Sequence, residues 1–280
     1  MMKIKTLLLI LTLTGSTHLM AVSEPEYATA ETREVVLKMI EAHGGLEKWR
    51  NSKSFSFQNI MFSSSLGERP FWINEVTVDP KTRRVYQNWL SHDATMASDG
   101  NETWSENWKI GNAPKFEALF FYYFLNLPWL TQDSNVTLSE AKKIKHDSFE
   151  NEVYVIEMGF SEKPAMGKTK NDTYKLYIDA ESYLLVGYEY SIGYGYMLDL
   201  FGFPPEKNLF GPMFRINDSF TAIDGLIYPN LMHTGNTDMT KVYGNHAIVK
   251  YSLDNKFDNS RMKKSSNSIV DTSSDKRKKI

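Results

Sequence analysis

From Thr32 to Ala42 the apolar residues fall at Val35, Val36, Met39 and Ile40, the one-sided spacing of an amphipathic helix. Thr29, with Thr32 behind it, supplies an N-cap, and His43-Gly44-Gly45 supplies a C-terminal stop. A short second turn, Leu46 to Arg50, presents Trp49. At Ser54 the period changes from that of a helix to that of a strand. Phe55, Phe57, Asn59 and Met61 fall on one face, and Ser54, Ser56, Gln58, Ile60 and Phe62 on the other. A turn at Gly67 to Pro70 leads into a second alternating strand, Phe71 to Val78, and Asp79-Pro80-Lys81 turns into a third, Arg83 to Leu90. Shorter strands follow at Thr95–Ala97 and Glu102–Ser105. Strands joined at this rhythm by short polar turns predict an antiparallel meander.

Residues 114–145 break the rhythm. Pro114 opens a segment, Phe116 to Leu125, that is apolar nearly all round; a helix without a polar face must be buried or must cover something apolar. Pro128 ends it, and Thr137 to Ile144 has no clear period. Strands resume at Glu152–Phe160, Asp172–Ile178, Tyr183–Ile192, Arg215–Ile223, Leu226–Thr234 and Lys241–Asp254, with Asp224-Gly225 the strongest turn signal among them. Between them, Gly193 to Gly211 is a run of glycine, aromatics and paired prolines without a period, which reads as a lid, an edge cover or a membrane-touching loop.

Helix, long antiparallel sheet and inserted apolar helix make an α+β domain. A sheet of about eight to eleven strands curls, because open twisted sheets of that size do not stay flat. A strongly curved sheet with helices on its concave face leaves a cleft.

The N-terminus changes where such a domain is expected to work. Lys3 and Lys5 followed by an apolar stretch from Thr6 to Gly15 and a small residue at Ala21 read as an export signal over residues 1–21. The stretch is too short to span a bilayer. The chain has no cysteine, so disulfides, thiolate metal sites and thiol nucleophiles are excluded. Seven basic residues (Arg261, Lys263, Lys264, Lys276, Arg277, Lys278 and Lys279) crowd the last twenty positions, although the formal net charge of the chain is −2. The rest is therefore acidic and unsuited to nucleic acid, which wants a basic face. The sequence divides into the signal, a single domain at 22–258, and a basic tail at 259–280 expected to be disordered or to touch anionic lipid.

Catalytic chemistry finds little support. There is no His-Glu-x-x-His, no Gly-x-Ser-x-Gly, no phosphate-cradling glycine loop and no dinucleotide fingerprint. His43 reads as a helix C-cap, with a cation favoured at the helix dipole. His92 and His146 sit in polar turns. His233 and His246 lie on successive strands with Asp238 between them; pairing as a hairpin would let them converge for hydrolysis, one ligand short of a usual zinc set. Asn101, Asn135, Asn171 and Asn217 are Asn-x-Ser/Thr sites. No catalytic residue, metal ligand or cofactor is assigned.

The run Ala42-His43-Gly44-Gly45-Leu46-Glu47-Lys48-Trp49, leading into Ser54 to Phe57, resembles the opening of an uncharacterised family of exported bacterial proteins related to the outer-membrane lipoprotein-sorting carriers, the LolA/LolB-like superfamily. Ala97 to Gly100 followed by Trp104, Phe120 to Leu130, Tyr174 to Asp179 and Asp224 to Pro229 extend the similarity from about Thr32 to about Tyr251. The resemblance implies a half-open antiparallel barrel plugged by helices on its concave side, a periplasmic location, and an apolar space for acyl chains. The segment at 193–211 and the basic tail depart from the dedicated carriers.

A cleft of this kind binds by removing hydrocarbon from water, and a long acyl chain contributes on the order of 10 kcal/mol before ordering costs. Its expected lining is Phe55, Phe57, Met61, Trp72, Val76, Phe120, Phe121, Phe124 and Trp129; taken singly each is more often an ordinary core residue, and the expectation concerns the group. The function expected is an apolar-ligand carrier for lipid, acyl chain or lipoprotein, not an enzyme. An envelope scaffold with a filled core is the alternative, and a hydrolase is a third reading.

Overall fold

Thr29 Oγ1 accepts a hydrogen bond from the Thr32 amide at 3.1 Å and so opens helix α1 (Ala30–Ala42). Its buried residues include Val35, Val36, Met39 and Ile40, the stripe read from the sequence. This computed structural model describes residues 24–63, 70–162, 169–253 and 255–277. The export signal expected at 1–21 and most of the turn expected at Gly67 to Pro70 lie outside the described residues. A short strand β1 (Glu26–Tyr27) precedes α1, and helix α2 (Leu46–Asn51) follows it. The meander is β2 (Phe55–Phe62), β3 (Phe71–Asp79), β4 (Arg84–Trp89), β5 (Ala94–Ser98) and β6 (Thr103–Glu106). Three short helices come next: α3 (Pro114–Glu117), α4 (Phe120–Leu125) and α5 (Leu127–Leu130). Then come β7 (Val136–Leu138), β8 (Lys142–Lys145), β9 (Glu152–Phe160), β10 (Thr173–Asp179), β11 (Leu185–Ile192), helix α6 (Gly195–Leu200), β12 (Phe210–Ile223), β13 (Leu226–Gly235) and β14 (Val242–Leu253). A 3-10 turn (Asn259–Met262) and β15 (Ile269–Val270) close the described chain.

The strands form one sheet in the order β1-β7-β9-β10-β11-β12-β13-β14-β2-β3-β4-β5-β6-β15, with β8 also on β9. The β1–β7 pair is parallel; the remaining pairs are antiparallel. The sheet does not close: β1 and β15 are its two ends. Register shifts at Asn217/Ser219, Ser219/Phe220 and Val249/Ser252 put bulges in its long central strands, and bulges bend and twist the strand that carries them. The result is an α+β half-open barrel.

Its topology decides where the apolar helices go. β6 lies beside one end of the sheet and β7 beside the other, so the connection between them, carrying α3, α4 and α5, must cross the sheet. Ten consecutive residues, Phe121 to Leu130, are buried, and they join α1 and the inner sheet face in one core. The single helix expected from Phe116 to Leu125 is broken at Ala118–Leu119. At the break the buried Gln87 amide donates to the carbonyls of Glu117 at 2.9 Å and Ala118 at 3.2 Å, supplying a partner to acceptors at the end of the helical turn.

Two glycine motifs far apart in sequence meet. Asp224 and Gly225 both have positive φ (50° and 78°), as the tight β12–β13 hairpin requires. Gly44, at φ 101°, packs so closely on this turn that a Cβ there would lie 2.1 Å from Gly225 O. Only glycine fits.

The C-terminal segment departs from the disordered tail expected at 259–280. β15 pairs with β6, and the Gly195 and Tyr196 amides donate to Asp275 O (2.9 Å) and Ser274 O (3.1 Å). Arg277 Nε meets Asp199 at 2.5 Å, while its Nη atoms donate to the carbonyls of Phe203, Pro204 and Lys207. Backbone pairing and a spent guanidinium hold this segment as a strap over α6. The 193–211 segment is accordingly a covering element, with Tyr194 packed 5.5 Å from the Phe116 ring.

Candidate functional site

Residues directly opposite in the ladders share a face, and the concave face can be traced strand by strand from register. Tyr174 faces Tyr190, Tyr188 faces Arg215, Arg215 faces Thr234, and Met232 faces His246. His246 faces Met61, Met61 faces Trp72, Asn59 faces Asn74, and Phe57 faces Val76, which faces Gln87. Every expected sheet residue of the lining except Phe55 falls in this tracing, and Phe55 lies two positions before Phe57 on the same face.

The structure brings the nine expected lining residues onto one side but divides them into three groups. Phe55 and Trp129 share a cluster with Tyr228, whose ring lies 5.0 Å from Phe55 and 5.2 Å from Trp129. Trp129 also stacks on Trp49 at 5.9 Å, with Phe57 and Val76 buried nearby in the same core. Phe120, Phe121 and Phe124 sit on α4, with Phe124 4.8 Å from the Tyr190 ring and Phe121 5.0 Å from His246. Trp72 belongs to a separate cluster with Trp89, Ala94 and Ile110, and Met61 lies half-buried opposite it. Phe55, Phe57, Val76, Phe121, Phe124 and Trp129 are each at most 8% exposed. Among the described residues, the space expected to be a cleft beside them is occupied by α3–α5. A groove of about 630 Å³ lies elsewhere, over β7, β9, β10 and β11, floored by Glu157, Lys175 and Glu189.

Sequence reading missed a polar row under these helices. His246 Nδ1 bonds Asn59 Oδ1 at 3.1 Å, Asn59 donates to Asn74 at 3.0 Å, and Asn74 donates to Gln87 at 3.2 Å. Trp89 Nε1 also donates to Gln87 Oε1 at 2.8 Å. Burial, reinforced by the charge of Arg215, holds the His246 pKa well below the usual histidine range, so the row is neutral. Beyond it stands Arg215, 2% exposed. Its Nε donates to Thr234 Oγ1 at 2.9 Å, and its guanidinium faces the rings of Phe124 (4.5 Å), Phe121 (5.4 Å) and Tyr190 (5.8 Å). Arg215 Nη1, Tyr188 Oη, Asn217 Oδ1 and Tyr123 Oη are buried without a hydrogen-bond partner. Burial raises the Tyr188 and Tyr190 hydroxyl pKa values, and the nearby Arg215 charge opposes that rise.

The histidine readings are corrected. His233 and His246 occupy adjacent, not opposed, register positions (His233 faces Asn245, Met232 faces His246), so they point to opposite sides of the sheet. His233 instead bonds Asn245 at 2.7 Å and lies 3.8 Å from Asp218. Convergence for hydrolysis does not occur. His43 does end α1, but not as a cation: it is buried, its Nδ1 bonds Ile227 O at 2.8 Å, and its Nε2 accepts from the Leu185 amide at 3.0 Å. Burial lowers its pKa to about 4. Asn217, one of the four glycan-type sites, is buried with its amide on Leu185 O, leaving no room for a sugar.

An open, strongly curved antiparallel sheet whose edge-to-edge connection plugs its own concave side defines a class of half-barrel proteins. The chain has the LolA-like fold. A LolA superfamily protein from Nitrosomonas europaea superposes with a TM-score of 0.50 at 8% identity, covering 83% of this chain and 97% of that one. A DUF1329 family protein from Desulfovibrio piger superposes with a TM-score of 0.51 at 9% identity, covering 84% and 98%. An outer membrane lipoprotein-sorting protein domain from Vibrio parahaemolyticus gives 0.49 at 10% identity, covering 82% and 95%. No family model matches the chain, and no curated protein matches it in sequence.

Proposed function

We propose that this chain is an exported, periplasmic carrier or sensor of an apolar ligand (lipid, acyl chain or lipoprotein), and that α3–α5 are the movable cover of its binding face. The observation that carries the reading is α4 itself. Six residues long and without a side-chain cap, it lies between the helix break at Ala118–Leu119 and Pro128, and it places Phe121 and Phe124 against the concave face. So short a helix has little stability of its own and depends on the surface it covers. Ligand hydrocarbon would take the place of those rings. The LolA-like fold supports this reading, and among the described residues no helix is long and apolar enough to cross a membrane.

The test is extraction of the purified chain with organic solvent followed by mass spectrometry, together with titration of a fluorescent fatty-acid probe. Co-purified lipid or saturable probe binding is expected; neither appearing would sink the carrier reading.

A second reading, an envelope docking module with a permanently filled core, is favoured by the burial of six of the nine lining residues. It predicts no probe binding, and loss of partner association when residues 194–210 are deleted. Membrane contact through the basic tail is less favoured, because Arg277 is spent on α6 and Lys264 on Glu102.

A further inference from the structure

A guanidinium stays charged in a protein interior, and burying a charge without an opposite one costs several kcal/mol. Arg215 meets that condition. It is 2% exposed, and it belongs to none of the ion pairs among the described residues. Three aromatic rings and one threonine hydroxyl offset part of the cost, since ring faces attract a desolvated cation. They leave Nη1 unbonded. Directly opposite in the ladder, Tyr188 Oη is also buried and unbonded. Two hydrogen-bond donors on facing strands, one of them cationic, thus lie unused beneath the aromatic face of α4. A water molecule could accept their hydrogen bonds but would bring no charge.

We propose that Arg215 and Tyr188 form a buried site for the compact anionic headgroup of an amphiphile, a carboxylate or a phosphate, exposed when α4 lifts. The inference rests on the carrier reading above and adds to it what the ligand's polar end must be. The headgroup exchanges ring faces for charge-assisted hydrogen bonds, which are about twice as strong as neutral ones. The planar fork of arginine suits either anion.

The full chain, delipidated, is titrated by calorimetry with palmitate, 1-palmitoyl lysophosphatidate and hexadecanol, in the wild type and in Arg215→Met. In the wild type at least one anion binds ten-fold or more tighter than hexadecanol, and in Arg215→Met that ratio falls toward one. Whichever anion shows the preference identifies the source of the headgroup. Equal affinity for all three in the wild type, or an undiminished ratio in the variant, overturns the headgroup site while leaving the carrier reading intact. Binding of none of the three overturns both. Arg215→Lys keeps the charge and guards against misfolding of the methionine variant: it retains a preference between those two. With carboxyl-13C palmitate on the wild type, the bound resonance is expected to stay at its ionised shift well below the pH at which free palmitate protonates; a resonance that titrates with the free acid counts against the site.

Discussion

The guanidinium of Arg215 stands 4.5 Å from the centre of the Phe124 ring, so a buried charge of the inner face and the cover over it are held directly against each other. The contact serves both sides. The ring faces soften the charge of Arg215, and the charge gives a helix of six residues a reason to stay where it is.

Phe124→Ala should therefore be expensive. The ring is 3% exposed and touches Tyr188, Tyr190 and Phe120 as well as Arg215. Truncation of a core phenylalanine costs about 3–5 kcal/mol. Denaturant unfolding measures it, and a loss below about 1 kcal/mol would show that α4 is not packed as described.

Asn126→Ala loosens the cover without emptying the core. Asn126 Oδ1 accepts from Trp49 Nε1 at 2.6 Å, and its amide donates to Tyr122 O at 2.8 Å, pinning the α4–α5 junction to α2. Stranding the indole N–H costs about 1–3 kcal/mol. Hydrogen exchange of the α4 amides is expected to accelerate more than that of β10 and β11, and entry of a fatty-acid probe to quicken. Uniform acceleration across the fold would argue against a separable cover.

Stability falls as the medium is acidified from neutrality. His43 has a folded pKa of about 4 against an ordinary 6.5, and burial pushes His246 the same way. The unfolded chain takes up these protons below 6.5 while the folded one does not; the His43 contribution is intact above 6.5 and is lost as pH falls toward 4, and His246 acts in the same direction. His43 contributes a slope of about 1.4 kcal/mol per pH unit within that window. Asp133 acts oppositely: burial raises it to about 6, so the folded chain binds its proton first and gains stability between 6 and the ordinary carboxylate range. Thermal midpoints measured from pH 7 to pH 5 should decline, less steeply in His43→Gln and more steeply in Asp133→Asn.

Arg277→Ala should release the strap. Its guanidinium holds Asp199 and three backbone carbonyls around α6, and Phe201 beside them is 52% exposed. Limited proteolysis is expected to cut between 195 and 210 several-fold faster in the variant. An unchanged cleavage pattern would mean that β15 and the backbone bonds of Gly195 and Tyr196 retain the segment without the guanidinium.

Much of the sheet was legible because most of its strands are half-buried and alternate, and the Asp224-Gly225 and Thr29 signals act through local backbone chemistry. The inner row was not. On β12, Phe214 and Ile216 alternate with Arg215 and Asn217, and simple alternation turns the phenylalanine inward. Yet Phe214 packs on the convex side with Tyr177 and Val153, beneath Phe149, and Arg215 faces the core. Both faces are covered there, so polarity no longer reports the side. The broken helix was hidden for a similar reason: the side chain that satisfies its carbonyls, Gln87, lies some thirty residues earlier in the chain. The strap reads as a solvated tail because its hold depends on partners such as Asp199, which no local pattern announces.

The middle of the sheet is where the two ends of the chain's history meet. Ser56 bonds Ser252 across a separation of 196 residues, in the ladder that joins β2 to β14. Synthesis must run through Leu253 before that edge of β2 gains a neighbour, so the first hairpin made is among the last to be completed. Such distant pairing makes folding slow, and it makes it an event of the finished chain. A product truncated before β14 is left with a bare, adhesive strand at what should have been its centre.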